Sequence, residues 1–272
     1  MKEYRKVLTI AGSDSGGGAG IQADLKTISA LGCYGTTAIT AITAQNTLGV
    51  NAIYPVPVDM IEKQAEAILN DIGADAVKIG MLHSVDIIMS IHRVLSEFQV
   101  KNIVLDPVMV AASGDKLIED NTLDALTEYL FPLVDIITPN IPEANILLNG
   151  TITTKDDMIE SARNLLKFGS RAVLIKGGHM KGDILFDVYA SNNEVGNIKV
   201  FEIIKINTSN VHGSGCTLSS AIASFLARGD NMDLAVQNAI DYMQDAIRSG
   251  KDYKTGRGNG PVNHFFKPEK LG

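Results

Sequence analysis

The sequence predicts an α/β fold with a mostly parallel sheet, and three observations carry that expectation. Short apolar, β-rich runs alternate along all 272 residues with segments of helical periodicity roughly ten to fifteen residues long. This alternation implies a sheet covered on both faces. Glycine, proline and charged residues gather just after the apolar runs, where open parallel sheets bind their ligands.

Each element follows from its own pattern. Val7–Ala11 (VLTIA) is a β-rich run ending in glycine, and Ile21, Leu25, Ile28 and Leu31 then share one helical face. Thr36–Thr43 reads as the second strand. Asp59 with Glu62 makes a D-x-x-E helix start. Ala76–Ile79 is strand-like, and Val85 to Phe98 is helical. Asn102–Asp106 and Asp135–Thr138 are short apolar strands. Thr154 with Asp157 opens another helix, and Ala172–Lys176 closes another strand–helix repeat. From Asp183 to Ile206 the strands shorten and turn residues such as Ser191, Asn192 and Asn193 appear, so hairpin strands are expected at an antiparallel edge. Leu218, Ala221, Ile222, Phe225 and Leu226 form a last helical stripe, followed by Leu234 to Ile247. No repeat, low-complexity segment or linker interrupts this, and a single domain over 1–272 is expected.

Composition narrows the function. With 45% hydrophobic residues the chain can bury a large core, and its net charge of −7 without a basic block argues against nucleic acid. Cys33 and Cys216 are too few and too far apart for a disulfide framework or zinc site, and suit a reducing compartment. The opening apolar run is too short for a signal peptide or membrane span. The expectation is a cytoplasmic protein that binds neither nucleic acid nor membrane.

The unusual residues sit at five strand ends, Gly12 to Gly20, Lys78 to Met81, Asp106 to Met109, Pro139 to Glu143 and Lys176 to His179, which should converge along one edge. The loop Gly12 to Asp24 (GSDSGGGAGIQAD) enters a helix, a setting for close approach to a ligand. Gly18, Gly20 and Ala23 satisfy G-x-G-x-x-A, but no acid follows before Asp59, against a dinucleotide fold, and no Gly-Lys-Ser/Thr makes a Walker loop. Asp24 is expected in the helix's first turn, where it complements the dipole. Gln45 offers a donor and an acceptor that suit a planar heterocycle, or serve as a turn amide. Met81 and Met109 are either core or the apolar wall of a pocket. Asn140 and Glu143 either cap a helix that Pro142 starts, or hold a magnesium–water shell beside phosphates. Lys176 precedes two glycines and His179, to which no catalytic role is given.

Asn210 to Ser220 (NVHGSGCTLSS) is the most telling stretch. Gly213, Ser214 and Gly215 precede an amphipathic helix, so their N–H groups and its dipole make an anion site. Cys216 stands at the helix N-terminus, where a thiol's pKa tends to fall. No histidine or aspartate spacing supports a triad. A base beside an anion hole suits phosphoryl transfer to a hydroxyl.

Taken in order, AGSDSGGGAGIQADLKT, VKIGML, LDPVMV, ITPNIPEA, LIKGGH, HGSGCTLS and GNGPVNHF resemble the hydroxymethylpyrimidine/phosphomethylpyrimidine kinases of thiamine biosynthesis, in the ribokinase-like superfamily. The resemblance covers nearly the whole chain and is weakest over Asp183 to Ile206. It implies a three-layer α/β/α ribokinase-like fold, a homodimer, and two successive phosphorylations of the pyrimidine by Mg-ATP. It makes Gly213, Ser214 and Gly215 the anion hole and Cys216 the base. It sets Gln45 on the pyrimidine with Gly12, Asp24, Met81 and Val108 around it. Asn140, Lys176 and Asp106 would serve ATP, and Glu143 the magnesium. A thiol in place of the superfamily's common aspartate would spare a phosphorylated substrate like-charge repulsion. The chain departs from the family at Val211, where threonine is common, and at Ser214, which keeps a hydroxyl. A pyridoxal kinase, also acting on a flat hydroxymethyl heterocycle, is the nearest rival. A non-catalytic binder on the same fold would not need a base beside an anion hole.

Overall fold

A computed structural model describes residues 2–109, 119, 121–192 and 198–270. Nine strands form one sheet in the order β3-β2-β1-β4-β5-β6-β7-β8-β9. They are β1 (Lys6–Asp14), β2 (Tyr34–Asn46), β3 (Gly49–Pro55), β4 (Ala76–Ile79), β5 (Ile103–Leu105), β6 (Ile136–Ile137), β7 (Ala172–Ile175), β8 (Ile184–Ser191) and β9 (Ile198–Ile204). From β2 across to β7 all pairings are parallel. The expected antiparallel edge is β8 and β9. A second one, β3 against β2, was not expected. The patterning is silent on β3 because its side chains are mostly exposed, leaving no buried face to impose alternation.

Helices cover both faces. On one lie α1 (Gly20–Ala30), α7 (Ser214–Ala227) and α8 (Met232–Gly250), packed through Ile28, Leu218, Ile222, Val236 and Ile240 against Val7, Val104 and Leu174. On the other, α2 (Val58–Asp71), α3 (Val85–Glu97), α5 (Ile141–Leu148) and α6 (Lys155–Leu166) cover Leu8, Ile10, Ile79, Leu105 and Val173. The short α4 (Thr122–Ala125) runs on through a π turn, Leu126–Leu130, and a 3-10 turn, Phe131–Leu133, none of which the periodicity signals. Strand residues such as Val7 and Leu8 are both buried, one under each layer. The molecule is therefore the expected three-layer α/β/α sandwich.

Local signals held unevenly. Thr154 and Asp157 form the predicted capping box at α6. Asp59 and Glu62 do not cap α2, whose N-cap is Pro57. Asp59 instead pairs with Lys63 at 3.0 Å, and Glu62 turns to Arg93 and Ser90 on α3. Asn193 lies outside the described residues. Among the described residues, no helix is long and apolar enough to cross a membrane.

Candidate active site

The carboxyl ends of β1, β4, β5, β6 and β7 open onto one cavity of about 560 Å³, beside the point where strand order reverses around β1. Gly12, Gln45, Met81, Asp106, Val108, Asn140, Glu143, Lys176, Gly213, Ser214, Gly215 and Cys216 all line it. The sequence scatters these residues over more than half of its length, and the parallel sheet brings them together.

Two register shifts lie on the β1–β2 side of the cavity. Pairing of β1 with β2 slips between Ala11 and Ser13, placing Gly12 at the irregularity. There a Cβ would come within 3.0 Å of the Met81 methyl. Pairing of β2 with β3 slips between Ala44 and Gln45, where Asn51 is the extra residue on β3, and Gln45 stays on the inward-facing side of β2 with Thr43. Its amide lies 3.4 Å from His212 Nε2. Met81 and Val108 supply apolar wall. Met109 belongs to the core instead.

The glycine loop is organised by Asp14. Its carboxylate accepts the N–H groups of Gly16, Gly18 and Ala19 at 2.7, 3.0 and 2.8 Å, and meets His212 Nε2 at 3.0 Å. Burial opposes its ionisation, but His212 and the amides outweigh this and hold the pKa below the usual carboxylate range. Gly213 caps α7 in the left-handed region, with φ +77°, where a Cβ would overlap the Gly18 carbonyl. The two glycine-rich loops are thus locked together.

At the α7 end, the Ser214 N–H bonds to the Val211 carbonyl at 3.1 Å, so the turn itself uses one of the three expected amides. Gly215 lies against an ion pair: a Cβ there would be 3.3 Å from both Asp106 Oδ2 and Lys176 Nζ. Lys176 meets Asp106 at 2.6 Å, and Thr138 donates to the same oxygen at 3.0 Å. Asn140 and Glu143 form a full capping box at α5, with bonds of 2.7 and 2.9 Å. The capping reading is therefore real, yet both residues also line the cavity. Burial pushes Glu143 up to about 7, with Lys176 pulling the other way.

Two expectations need correction. Asp24 is not in the first turn of α1 and does not line the cavity. It is wholly buried beneath it, accepting bonds from Thr9, Lys78 and Ser220. A single periodicity could not reveal that Lys78 lies opposite. The Cys216 pKa does not fall: burial pushes the thiol up to about 11, and Lys78 and the Gly20 N–H offset that only partly. Helix position alone neglects the desolvation of a half-buried thiol with carboxylates nearby.

Asp14, His212, Lys78 and Asn259 also line the cavity, and the sequence gives none of them a role of its own. One signal was available for Lys78, a lysine inside the otherwise apolar strand Ala76–Ile79. For Asn259 the signal was only its place in the segment GNGPVNHF; it is held at the cavity with its N–H bonded to the Thr47 carbonyl at 3.1 Å.

Among the described residues, no group of three or more His, Cys, Asp or Glu is arranged to hold a metal. Magnesium bound mainly through phosphates needs only one or two protein carboxylates in support. Glu143 beside Lys176 and Asp106 meets that requirement. The Lys176 ammonium and the α7 N-terminus suit phosphate oxygens.

An α/β/α sandwich with a glycine-rich turn opening a helix at the strand ends is the architecture of a ribokinase-like small-molecule kinase. The family model for phosphomethylpyrimidine kinase matches residues 14–263. The chain belongs to that family. It is 42% identical to the Bacillus subtilis hydroxymethylpyrimidine/phosphomethylpyrimidine kinase, covering 98% of this chain and 97% of the relative. It is 47% identical to a thiamine biosynthesis bifunctional protein of Geobacter sulfurreducens, covering 97% of this chain and 53% of the relative. The chain thus spans about half the length of that bifunctional relative. Among solved structures, Bacillus subtilis pyridoxal kinase has a TM-score of 0.88 at 38% identity, covering 96% of this chain and 98% of the other. Phosphomethylpyrimidine kinase from Clostridium difficile has a TM-score of 0.78 at 46% identity, covering 89% of this chain and 99% of the other. Shape and identity rank these two differently, so overall fold does not separate the substrates.

Proposed function

We propose that the protein phosphorylates 4-amino-5-hydroxymethyl-2-methylpyrimidine with Mg-ATP, and then its monophosphate to the diphosphate, for thiamine biosynthesis. The observation that carries this is one cavity in which Gln45, the α7 anion loop with Cys216, and Lys176 stand together. Higher identity to the pyrimidine kinases than to the pyridoxal kinases supports the choice of ring.

In this reading Gln45 holds the pyrimidine edge, with Gly12, Met81 and Val108 closing around a flat ring. Asp24 acts from below, through Lys78. The substrate hydroxyl attacks the γ-phosphorus and passes its proton to the Cys216 thiolate, while the γ-phosphoryl leaves ADP. The N–H groups of Gly213 and Gly215 and the Lys176 ammonium receive the charge on the transferring group. Asn140 and Asp106 help to hold ATP. Magnesium, beside Glu143, would neutralise phosphate charge. Val211 brings no hydroxyl to this edge, and the backbone donors of the loop stand without it.

We further propose a cytoplasmic enzyme working as one unit over 1–272. The two free cysteines favour a reducing compartment. A second copy would sit on the β2–β3 edge, where Ile42, Ile53 and Tyr54 are exposed. Sedimentation should give a dimer that Tyr54→Lys weakens.

The deciding experiment incubates the protein with Mg-ATP and, separately, the pyrimidine, its monophosphate and pyridoxal, following products by mass. Mono- and diphosphate, abolished in Cys216→Ala, are expected. Turnover of pyridoxal alone would move the function to vitamin B6 salvage, and turnover of none would favour a binding protein.

A further inference from the structure

Beneath the cavity floor lies a buried charged cluster. Lys78 on β4 is completely buried, and its ammonium is 2.9 Å from both carboxylate oxygens of Asp24 on α1. Thr9 on β1 and Ser220 on α7 each donate to that carboxylate at 2.6 Å. Asp24 is therefore saturated and fixed from three elements. Thr9 is also the register partner of Lys78 across β1 and β4. The ammonium gives two N–H groups to Asp24, and no third hydrogen-bond partner exists for it among the described residues. Lys78 nonetheless lines the cavity, and Cys216 lies one helical turn before Ser220 on α7.

A buried ion pair is seldom kept for stability, since a well-packed apolar pair of similar volume serves as well or better. Its value lies in the field it projects. We propose that Lys78, anchored by Asp24, is a positioning residue that holds a fixed positive charge beside Cys216 and thereby sets the fraction of thiolate available to take the substrate's proton. This rests on the reading of Cys216 as the base. Burial drives the thiol towards its neutral form, Lys78 opposes this, and Asp24 and Asp106 reinforce it. Lys176 is the other cation coupled to the thiol, and it is already paired with Asp106. The Gly20 N–H also stabilises the thiolate. Of the two cations, Lys78 is thus the one whose counter-ion has its charge shared with other donors, the hydroxyls of Thr9 and Ser220.

The test measures the pH dependence of Cys216 alkylation by iodoacetamide, read by mass on the Cys216 peptide, with buried Cys33 as internal reference. It is run on the wild type, Lys78→Met and Asp24→Asn, with the pH profile of kcat recorded alongside. The alkylation midpoint should rise by about one pH unit or more in Lys78→Met, a tenfold loss of thiolate at neutral pH. It should fall in Asp24→Asn. A merely structural role would move both variants the same way. If Lys78→Met does not fold, Lys78→Met/Asp24→Asn leaves no orphan charge and should show a smaller upward shift, because Lys78 acts on the thiol more strongly than Asp24 does. Folded variants with unmoved midpoints would overturn the inference. If Cys216→Ser turned over at the wild-type rate, the base reading would fail while the alkylation shifts stood, so the two failures are distinguishable.

Discussion

At the scale of single residues, the cavity depends on a few atoms. Removing the thiol in Cys216→Ala should lower kcat by about 10²- to 10⁴-fold, the usual worth of a positioned base, with little change in melting temperature. Cys216→Asp probes why the base is sulfur. A carboxylate would repel an incoming phosphorylated substrate, so this variant should keep the first phosphorylation and lose most of the second. Retention of the second step alone would sink that explanation. Gly213→Ala should do more than disturb catalysis. Its φ of +77° and the overlap with the Gly18 carbonyl would force the two loops apart. Backbone strain of about 1–3 kcal/mol should appear as a lower melting temperature together with lost turnover.

At the scale of elements, two capping boxes of the same chemistry serve different ends. Thr154 and Asp157 start α6 on the exposed surface. Asn140 and Glu143 start α5 at the cavity rim. Thr154→Ala should cost about 1 kcal/mol in denaturant unfolding and leave kcat untouched. Asn140→Ala should cost a similar amount and also raise the KM for ATP. If both variants altered only stability, α5 would be scaffold and its site role would fall. The contrast shows how far local sequence reaches. The spacing S/T/N-x-x-D/E announces a helix start in both places, but nothing within it says which start faces a ligand.

At the scale of the whole molecule, the C-terminal segment ties the layers together. His264 is buried, its Nε2 is 3.0 Å from Thr217 Oγ1 in the first turn of α7, and its carbonyl accepts the Tyr242 hydroxyl of α8 at 2.7 Å. Burial, with Lys26 nearby, drops its pKa from 6.5 to about 4. A depressed folded-state pKa gives stability that is complete above 6.5 and is lost as pH falls towards 4, because the unfolded chain takes up the proton first. The difference is worth on the order of 3 kcal/mol. The wild type should therefore lose more melting temperature between pH 6.5 and 4.5 than His264→Asn, measured side by side. Equal losses would show that His264 is not the acid-sensitive tie. A second tie joins Thr47 to the C-terminal loop through its hydroxyl, which accepts the Arg257 and Gly258 N–H groups at 3.2 and 3.1 Å.

The sequence by itself determined the layer architecture, because alternating strand and helix patterns leave few ways to bury their apolar faces. It also determined the glycine turn that starts a helix at Cys216 and the set of strand ends that meet at the cavity, since parallel strands place all their carboxyl ends on one edge. Only the tertiary structure decided what depends on pairing across distance. Asp24 reads as a helix-start charge until Lys78, 54 residues later, is seen against it. Cys216 reads as an acidified thiol until its burial among carboxylates is counted. The edge strand β3 has no buried side to leave a trace in its composition. Periodicity records which face of an element is dry. It does not record which charge stands opposite, and for Asp24 and Cys216 that neighbour decides the chemistry.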